Sequence, residues 1–414
     1  MIGSLFAGIS GLNANALAMT VIGDNIANVN TTAFKSTRSS FANVLSQSLQ
    51  GALGNEIGRG VQFWSTSPVW SQGSMENTSN PTDMAINGKG FFIVNDEGGS
   101  TYYTRAGQFH FDREGYLINP DGLFVQGYQV TSVNDDGTFT LGGIEDIYVP
   151  GESTTPPHAS EEFTIDLNLD AGAEVNDEYS TSITVYDSLG NAIDVTLTFN
   201  NTGAGQWTVA ASIPASVGTG ATIGGGASIP VTFDGDGELT APAANATISL
   251  ALTNGADTPQ DIVWDLYDAV GASRGDVTGY ASPSTVVFQT QDGYPSGYLR
   301  GVMVDDKGII TGSYSNGQLV PLFQMALADF PSYYGLAKMG NNLYSESLAS
   351  GQAMPGTPGS GRLGNVSPSS LEMSNVDLAS EFVKMITTQR AFQANSRVIT
   401  TSDEILAELI NIKR

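Results

Sequence analysis

The segment LEMSNVDLASEFVKMITTQRAFQANSRVITTSDEILAELINIKR, residues 371–414, decides how the rest of the chain must be arranged. An unbroken apolar series runs through it in steps of seven: Leu371, Leu378, Met385, Phe392, Ile399 and Leu406. A second, mixed series lies beside the first: Phe382, Gln389, Ser396, Asp403 and Ile410. A strict seven-residue repeat keeps one stripe facing a partner helix, so the segment is predicted to be an assembly helix with coiled-coil packing.

Local residues favour a helix start in this segment. Ser374, Asn375 and Asp377 have short polar side chains that accept hydrogen bonds from the free N–H groups of a first turn. No Pro or Gly follows Leu371, so nothing in the sequence breaks the helix before its end. The pattern predicts one continuous helix that needs a partner.

The same seven-residue pattern recurs at the opposite end of the chain, in residues 2–29. Leu5, Leu12, Met19 and Ile26 lie seven apart, and Ile9 is among the apolar residues that flank them. Taken alone, this stretch is explained equally well as an ordinary core helix. Together, the two helices predict that the chain ends pair and that the residues between them form a body looped out from the pair.

Composition narrows the possible partners. The 414 residues are 40% hydrophobic, enough for real cores, and carry a formal net charge of −26. Nucleic acid and anionic membranes are polyanions, so neither is expected as a partner. No apolar run approaches the roughly 20 residues of a membrane span, so no membrane insertion is expected. The first basic residue is Lys35, which argues against a cleaved signal peptide.

The residue types that carry most protein chemistry are scarce. The absence of Cys excludes disulfides, thiol catalysis and cysteine-ligated metals. Of the two histidines, His110 lies between two Phe residues on a predicted strand, where a structural or solvent-facing role explains it. No catalytic constellation is recognisable, so no enzyme activity, cofactor or metal site is expected.

The middle of the chain is strongly acidic. Residues 151–284 contain eighteen Asp or Glu and a single basic residue, Arg274, for a net charge of −17. Period-two alternation predicts strands there, and stretches rich in Ala, Gly and Thr at 203–205 and 215–228 predict long loops. Acidic clusters at 134–137 and 234–238 have oxygen spacings that suit Ca²⁺, but Asp-Gly turns explain them better.

The end of the first helix carries a family resemblance. By residue chemistry alone, residues 24–35, which are rich in Asn and Thr, are predicted to form a helix end and a turn. It resembles the N-terminal signature of the flagellar rod and hook axial proteins, in residues Asn25, Asn28, Asn30, Thr31, Phe34 and Lys35. Further stretches resemble the body domains and closing helix of that family: Gly88–Phe92, Tyr103–Gly107, Gly115–Leu117, Asp187–Asn191 and Gln389–Ile399.

These patterns predict a multidomain α+β fold, with paired terminal α-helices and nested, mainly antiparallel β body domains. Residues 1–80 form the N-terminal helix and a connector, with a short helix near 36–49, and pair with the C-terminal helix 367–414. A discontinuous β domain comprises 81–148 and 285–366. An acidic β domain, 149–284, is inserted into it.

The resemblance implies a structural subunit of the bacterial flagellar hook, a hollow, curved and flexible tube that acts as a universal joint between motor and filament. Implied partners are further copies of the chain, the distal rod protein, the hook cap protein, the hook–filament junction protein and the flagellar export apparatus. The implied location is outside the cell, reached by the flagellar type III pathway. The alternatives are another axial protein, of the distal rod or the hook–filament junction, and a secreted, calcium-stabilised, β-rich adhesin-like protein.

One further face of the C-terminal helix is polar and uncharged. A plain solvent face explains it as well as a lining of the export channel does. The residues of this predicted channel lining are Thr387, Thr388, Gln393, Asn395, Thr400 and Thr401.

Overall fold

In a computed structural model, the chain is described at residues 2–44, 47–48, 56–133, 138–203, 205–268 and 271–412. The acidic cluster at 134–137 and the side chain of Ile410 lie outside this described part. The chain divides into two compact units. The first holds Met1–Gly151, Gly301–Gly312 and Val320–Arg414, and the second holds Glu152–Arg300 and Ser313–Leu319.

Both terminal helices are present, and the segments between them are mainly strands. The first helix, α1, spans Ile2–Ala27 and the second, α2, spans Leu378–Ile412. The strands up to residue 146 are β1 (Thr37–Asn43), β2 (Gln47–Ser48), β3 (Glu56–Ile57), β4 (Val61–Pro68), β5 (Met75–Asn77), β6 (Met84–Asn87), β7 (Phe91–Asn95), β8 (Thr101–Thr104), β9 (His110–Phe111), β10 (Leu117–Ile118), β11 (Phe124–Val133) and β12 (Phe139–Asp146).

The remaining strands fall into two groups along the chain. The inserted stretch contains β13 (Thr154–Thr155), β14 (Glu162–Asn168), β15 (Glu178–Tyr186), β16 (Ala192–Gly203), β17 (Gln206–Ser212), β18 (Gly218–Ile223), β19 (Ile229–Phe233), β20 (Leu239–Ala241), β21 (Ala246–Leu252), β22 (Gln260–Trp264), β23 (Val277–Thr278) and β24 (Thr285–Gln291). After it come β25 (Gly297–Val304), β26 (Ile309–Tyr314), β27 (Leu319–Met325), β28 (Leu327–Asp329), a short 3₁₀ turn (Tyr333–Gly335), β29 (Ala337–Gly340), β30 (Leu343–Ser345), β31 (Met354–Gly356), β32 (Asn365–Pro368) and β33 (Ser370–Glu372).

Helices α1 and α2 pack antiparallel along a seam that combines small, polar and larger apolar residues. Ser4 lies beside Ser402 near one end, with 3.4 Å between their Oγ atoms, and Asn25 contacts Glu381 near the other. Between them Gly8 faces Ile399, and Gly11 faces Asn395. The buried Ala18 and Ile22 share this face of α1 by their helical spacing.

The seam side of α2 alternates between apolar and polar rungs. Its buried and half-buried residues are Met385, Phe392, Ile399 and Leu406 in one row and Glu381, Thr388, Asn395 and Ser402 in the other. Four members of the predicted apolar series therefore lie on this side. Of the predicted second row, Phe382, Gln389 and Asp403 are exposed in the single chain and Ser396 is half-buried, so those three residues do not contribute to the seam with α1. A seven-residue repeat gives the period of a seam but not which adjacent row completes it.

The predicted row on α1 also differs from the seam. Leu5, Leu12, Met19 and Ile26 are only half-buried, and Ile9 is exposed. Glycine and alanine occupy the seam instead, because a residue without a large side chain lets a second helix backbone approach closely. This leaves large apolar side chains exposed on both helices: Phe6, Ile9 and Leu17 of α1, and Leu378, Phe382, Val383, Ile386, Val398 and Ile405 of α2.

Two expected element boundaries are corrected. Helix α2 begins at Leu378, and Leu371 lies in β33, which pairs with β5. The start is set by Asp377, whose Oδ1 accepts the N–H of Ala379 at 2.9 Å. The helix expected near 36–49 is absent from the described residues there; β1 instead pairs antiparallel with β4. Ser and Thr disfavour a helix and the distant β4 supplies the partner strand.

Helix α1 also corrects the expectation about membrane-length segments. Residues Gly3–Ala27 are long and apolar enough to cross a membrane by length and composition, with a mean hydropathy of 1.5 over an 18-residue window. The core helix of a soluble protein passes the same test. Here Gly8, Gly11 and Ala18 face α2, so part of the apolar surface of α1 is already used inside the chain.

In the first unit, strands from before and after the insertion share one antiparallel sheet. Strand β11 pairs with β7, β12 and β27, and β7 also pairs with β8 and β28. Strand β8 continues the sheet through β30 to β29. The core beneath it is rich in aromatic side chains, including Phe91, Tyr103, Phe330 and Tyr344. This core therefore forms only when chain segments separated by more than 150 residues meet.

The second unit is a sandwich of two sheets. One runs β18-β21-β22-β14, with β23 and β24 also paired to β14, and the other runs β15-β16-β17-β19-β20. Their inward residues form a single hydrophobic cluster that includes Trp264, Phe163 and Phe199. The expected inserted domain ended at residue 284, but β24 pairs with β14 and extends this unit to Arg300. Strand β18 lies in a stretch predicted to be a loop.

Asp-Gly turns close several hairpins, as the sequence predicted for residues 234–238. Asp234 Oδ1 accepts the N–H groups of Asp236 and Glu238, both at 2.9 Å. Asp112, Asp187 and Asp305 use their Oδ1 in the same manner. Each aspartate replaces backbone hydrogen bonds that a tight turn leaves open. Among the described residues, no group of three or more His, Asp or Glu side chains is placed to hold a metal ion.

The single basic residue of the acidic segment has a defined partner. Arg274 forms an ion pair with the buried Asp265, with Nη2 2.6 Å from Oδ2. A hydrogen bond with Asp265, followed by burial, raises the pKa of Glu162. Burial, followed by the charge of Asp166, raises the pKa of Asp276. Arg274 thus offsets part of the repulsion within a cluster of carboxyl groups.

The seam yields a test with a matched control. A Cβ on Gly8 would lie 3.1 Å from Ile399 Cγ1, whereas Gly23 of the same helix has nothing within 4 Å. We expect Gly8→Leu to weaken the helix pair by about 1–3 kcal/mol through overpacking. Gly23→Leu gains the same helix propensity without the clash. Hydrogen exchange of α1 and α2 measures both variants, and equal protection in the two would contradict the seam.

Candidate functional site

Six residues join the chain ends to the β body of the first unit, and we call them the terminal junction: Asn25, Lys35, Gly73, Arg105, Glu372 and Asn375. They come from the end of α1, the connector, the loop after β8, and the chain leading into α2. Each makes a hydrogen bond or contact to another part of the chain more than ten residues away. The junction is thus a point where four segments of the chain are held together.

Asn25 fixes how the chain leaves α1. Its Oδ1 accepts the N–H of Thr37 at 2.8 Å, and its Nδ2 donates to the carbonyl of Thr37 at 2.9 Å. The carboxamide thereby satisfies both backbone hydrogen-bonding groups of Thr37, the first residue of β1. Nδ2 also lies 3.3 Å from Glu381 Oε2 of α2, so one buried side chain links α1, β1 and α2.

The turn that follows depends on the rest of the family signature. Asn28 Nδ2 donates to the carbonyl of Asp24 at 2.9 Å, and Thr31 Oγ1 donates to Asn28 Oδ1 at 3.1 Å. The buried Ala33 has a positive φ of 59°, a strained conformation for a residue with a Cβ. Its N–H donates to the backbone carbonyl of Glu372 at 2.7 Å, which holds it there. Asn30 is exposed.

Glu372 is the centre of the junction. Its Oε1 accepts from Lys35 Nζ at 2.5 Å and from the N–H of Gly73 at 2.9 Å, and its Oε2 accepts from Arg105 Nη1 at 3.2 Å. The side chains of Glu372 and Lys35 are 0% and 1% exposed, so water screens neither charge. Lys35 Nζ also donates to the carbonyl of Ser71 at 2.9 Å. A buried carboxylate with this many donors is held in one position.

The electrostatics of Lys35 reflect its burial. Burial lowers the pKa of Lys35, the carboxylate of Glu372 opposes this, and the charge of Arg105 adds to it. Arg105 is held on its other side by the carbonyl of Gly88, 2.6 Å from Nη2, and lies over the ring of Phe91 at 5.6 Å. Two cations therefore share one carboxylate, and removal of that carboxylate would leave both buried without a counter-ion.

Backbone contacts complete the junction. Asn375 Oδ1 accepts the N–H of Ser36 at 2.7 Å, and its Nδ2 donates to the carbonyls of Val69 and Ser71 at 2.8 and 3.1 Å. A Cβ at position 73 would collide with the carbonyl oxygen of Met373, so only glycine permits this approach. The connector is thus pinned from both sides at Ser71 and Gly73.

Trp70 anchors the connector in the aromatic core beside the junction. Its ring lies 5.5 Å from Phe91, 5.6 Å from Tyr333 and 5.2 Å from Tyr344, measured between centroids. Tyr333 donates from its hydroxyl to Asp329 Oδ1 at 2.5 Å. Contacts of this geometry add to the energy of apolar burial. A polar cavity of about 450 Å³ adjoins the junction, lined in part by Asn28, Phe34 and Lys338.

The residues predicted from the sequence lie at the terminal junction, in the turn before it, on the seam between the helices or on the exposed surface of α2. Asn25 and Lys35 meet at the junction, and Asn28 and Thr31 shape the turn between them. Of the predicted channel residues, Thr388 and Asn395 lie on the seam with α1, and Thr387, Gln393, Thr400 and Thr401 are exposed. Sequence reasoning missed Glu372 and Trp70. The first basic residue of an acidic chain, Lys35, was a signal that a buried carboxylate should be sought.

Models of known protein families match successive parts of the chain. Residues 5–35 match the model "Flagella basal body rod protein", and residues 85–168 match "Flagellar hook protein FlgE/F/G D1 domain". Residues 160–294 match "Flagellar basal body protein FlaE D2 domain", and residues 367–412 match "Flagellar basal body rod FlgEFG protein C-terminal".

Similar proteins extend over the whole chain. It is 33% identical to the flagellar hook protein FlgE of Borreliella burgdorferi over 450 residues, which covers 100% of both chains. It is 34% identical to the flagellar hook protein FlgE of Escherichia coli, with 98% of each chain covered. The fold matches the crystal structure of the Helicobacter pylori flagellar hook protein FlgE2 with a TM-score of 0.50, at 15% identity over 70% of this chain and 98% of that one.

Removal of Glu372 tests the junction. We expect Glu372→Gln to lower the free energy of unfolding by about 3–5 kcal/mol, because it leaves Lys35 and Arg105 buried with no counter-ion. The control is Lys384→Met in the ion pair with Glu381, where the lysine side chain is 58% exposed and the expected loss is about 0–1 kcal/mol. Denaturant unfolding measures both, and equal losses would show that the junction holds no buried charge.

Alkaline pH tests the aromatic core. Burial raises the pKa of Tyr344 to about 12 and that of Tyr103 to about 12, and burial with the Asp329 hydrogen bond raises the pKa of Tyr333. An unfolded tyrosine loses its proton near pH 10. The unfolded chain therefore binds fewer protons than the folded chain between about pH 10 and 12, and stability falls as pH rises.

The variant Tyr344→Phe should reduce that fall, measured as the slope of the unfolding free energy against pH. Tyr334→Phe, at a side chain that is 72% exposed, should leave the slope unchanged. The lowered pKa values of Lys35 and Lys338 make stability rise with pH, but this contribution is the same in the natural chain and in both variants. Identical slopes for the two variants would count against burial of the Tyr344 hydroxyl.

Proposed function

Because the chain belongs to the flagellar hook protein family, in which it is a structural subunit of the bacterial flagellum outside the cell, we propose that copies of it assemble into a hollow, curved and flexible tube that transmits torque from the motor to the filament. The family is structural, so the chain is not an enzyme. Full-length similarity to hook proteins leaves the adhesin-like alternative and the other axial proteins without support.

The terminal junction is the observation that carries this proposal. A subunit that transmits torque must not let its chain ends turn freely against its body. Glu372 holds Lys35, Gly73 and Arg105 at once, and Asn25 links α1 to α2. Breaking such a buried cluster exposes an unpaired charge, so rotation about the junction is costly.

Exposed apolar side chains on the two helices support assembly through them. Phe6 and Leu17 of α1, and Phe382, Val383 and Ile386 of α2, are exposed in the single chain. An amphipathic helix gains most of its stability from covering such a face, and a neighbouring copy supplies that cover. The coiled-coil-like pairing of α1 and α2 would then be one layer of a larger helical packing that forms an inner tube.

The seam between α1 and α2 is suited to a pair that forms late. Its polar rungs, which include Thr388, Asn395 and Ser402, gain less from burial than apolar rungs would. A chain exported through a narrow channel must travel with its helices unpaired. We therefore place the folding of the helix pair at the point of assembly, after export by the flagellar type III pathway.

Bending of the tube would use the acidic second unit. The segment 151–284 carries a net charge of −17, so copies side by side repel one another. Repulsion of this kind falls off within about 8 Å at physiological salt and permits close sliding without locking.

The channel-lining role falls to the exposed Thr387, Gln393, Thr400 and Thr401, whose uncharged side chains would not hold a passing chain. The distal rod, hook cap and hook–filament junction proteins would contact the ends of the tube.

Electron microscopy of the concentrated protein, and of appendages sheared from cells, tests the proposal. We expect curved tubes from the natural chain, and their loss in Phe382→Glu, which places a charge on the exposed face of α2. Leu189→Glu changes an equally exposed apolar residue in the second unit and should still give tubes. Globular particles from the natural chain at every concentration would refute assembly into a hook.

A further inference from the structure

The chain contains three Asn-Gly pairs: Asn87-Gly88, Asn254-Gly255 and Asn316-Gly317. In such a pair the backbone nitrogen of glycine can attack the side-chain amide carbon of asparagine, because no Cβ on glycine hinders the approach. The N–H proton of glycine leaves with the side-chain NH₂ group as ammonia, and a succinimide ring forms. Water then opens the ring to aspartate or to iso-aspartate, in which the backbone runs through the former side chain. The reaction therefore needs no reagent besides water.

The structure holds two of the three asparagine side chains in place. Asn254 Nδ2 donates to Asp187 Oδ2 at 2.6 Å. Asn316 Nδ2 donates to Thr155 Oγ1 at 3.1 Å and to the carbonyl of Pro295 at 2.9 Å. Each side chain also accepts a backbone N–H from two residues further along the chain. The side chain must turn towards the next backbone nitrogen before ammonia can leave, so these hydrogen bonds oppose the reaction at both positions.

Asn87 is held less firmly than the other two. It is the last residue of β6, and its side chain is exposed. Among the described residues, no hydrogen-bond partner is found for its carboxamide. Gly88 follows in an exposed bend with a φ of 118°, which glycine adopts without strain. The asparagine side chain is therefore free to turn towards the nitrogen of Gly88.

One side chain of the connector restrains this pair. Gln72 Nε2 donates to the carbonyl of Ile86 at 3.1 Å, and Gln72 Oε1 accepts the N–H of Gly88 at 3.2 Å. The carboxamide of Gln72 thus bridges the residues on either side of Asn87. While this bridge is closed, Gly88 keeps its proton and its nitrogen does not attack. The hydrogen bond to Gly88 is exposed, and exposed bonds open at little cost in free energy.

Gly88 also supports the terminal junction. Its carbonyl accepts from Arg105 Nη2 at 2.6 Å, and Arg105 Nη1 donates to Glu372 Oε2 at 3.2 Å. Iso-aspartate at position 87 would add one carbon to the backbone before Gly88 and place a new carboxylate there. The added carbon would shift the Gly88 carbonyl away from the buried guanidinium, which would lose a charge-assisted hydrogen bond.

We propose that Asn87-Gly88 is a site of spontaneous deamidation, that Gln72 slows the reaction there, and that the product weakens the terminal junction through Arg105. The proposal concerns the single chain and does not depend on assembly. Because the reaction needs no enzyme, the product accumulates with the age of each molecule. A change at one exposed bend thereby reaches the buried cluster that joins the chain ends to the β body.

Peptide mapping by mass spectrometry tests the site after the folded, full-length chain is incubated at mildly alkaline pH. We expect iso-aspartate to form several-fold faster at position 87 than at 254 or 316. In denaturant the three rates should converge, because glycine follows each asparagine and the contacts of the fold are lost. A rate at 87 no higher than at the other two positions in the folded chain would overturn the proposal. So would the same difference in denaturant.

Two variants of the exposed Gln72 test its restraint. Gln72→Ala should raise the rate at position 87 several-fold and leave the rates at 254 and 316 unchanged. Gln72→Glu keeps an oxygen that accepts the N–H of Gly88, so its rate at 87 should stay closer to that of the natural chain. Circular dichroism checks that both variants are folded. Equal rates at 87 in the natural chain and in folded Gln72→Ala would refute the role of Gln72.

Hydrogen exchange of aged protein tests the link to the junction. The N–H of Gly73 donates to Glu372 Oε1 and so reports on the buried cluster. We expect it to exchange several-fold faster in the aged natural chain than in fresh protein. Aged Asn87→Gln should behave like fresh protein, because the longer side chain would have to close a six-membered ring, which forms much more slowly. Unchanged exchange in chains that carry iso-aspartate at position 87 would contradict the link.

Discussion

The buried carboxylate of Glu372 is the interaction on which the rest of the first unit depends. It accepts from Lys35, Arg105 and the backbone of Gly73, which belong to three segments far apart in sequence. A charge taken out of water is stable only with complete partners, so none of these segments can leave without a large cost. The carboxylate therefore determines where the turn after the first helix, the connector and the C-terminal strand meet the β body.

The two terminal helices adjoin this buried cluster but pack against each other in a different way. Small residues such as Gly8 and Gly11 let α1 and α2 approach closely, while Thr388 and Asn395 keep the seam partly polar. Large apolar side chains, among them Phe6 and Phe382, are left on the outside. A single chain thus contains a firm junction next to a helix pair with exposed apolar side chains. This combination fits the proposed assembly, in which neighbouring copies would cover those side chains.

In the proposed assembly, the acidic unit must instead sit close to its copies without fusing to them. Apolar side chains such as Trp264 and Phe199 give the sandwich a hydrophobic core from within one chain. Its surface charge repels like copies, with Arg274 as the only internal counter-charge between 151 and 284. Firm contacts between the helices and sparse contacts between the acidic units are what the proposed tube would need if it is to bend while it turns.

The sequence by itself determined the terminal helices, the β character of the body, the acidic insertion and the Asp-Gly turns, because each is a local pattern of period, charge or turn chemistry. The family signature also pointed to Asn25 and Lys35. Only the tertiary structure decided the partner of Lys35, the seam row on each helix, the start of α2 at Leu378 and the pairing of β24 with β14. Three of these depend on contacts between residues more than a hundred positions apart, and the start of α2 depends on which of several polar residues becomes its cap. A seven-residue period leaves the facing row open, and a lone glutamate gives no sign of its burial until the chain has closed around it.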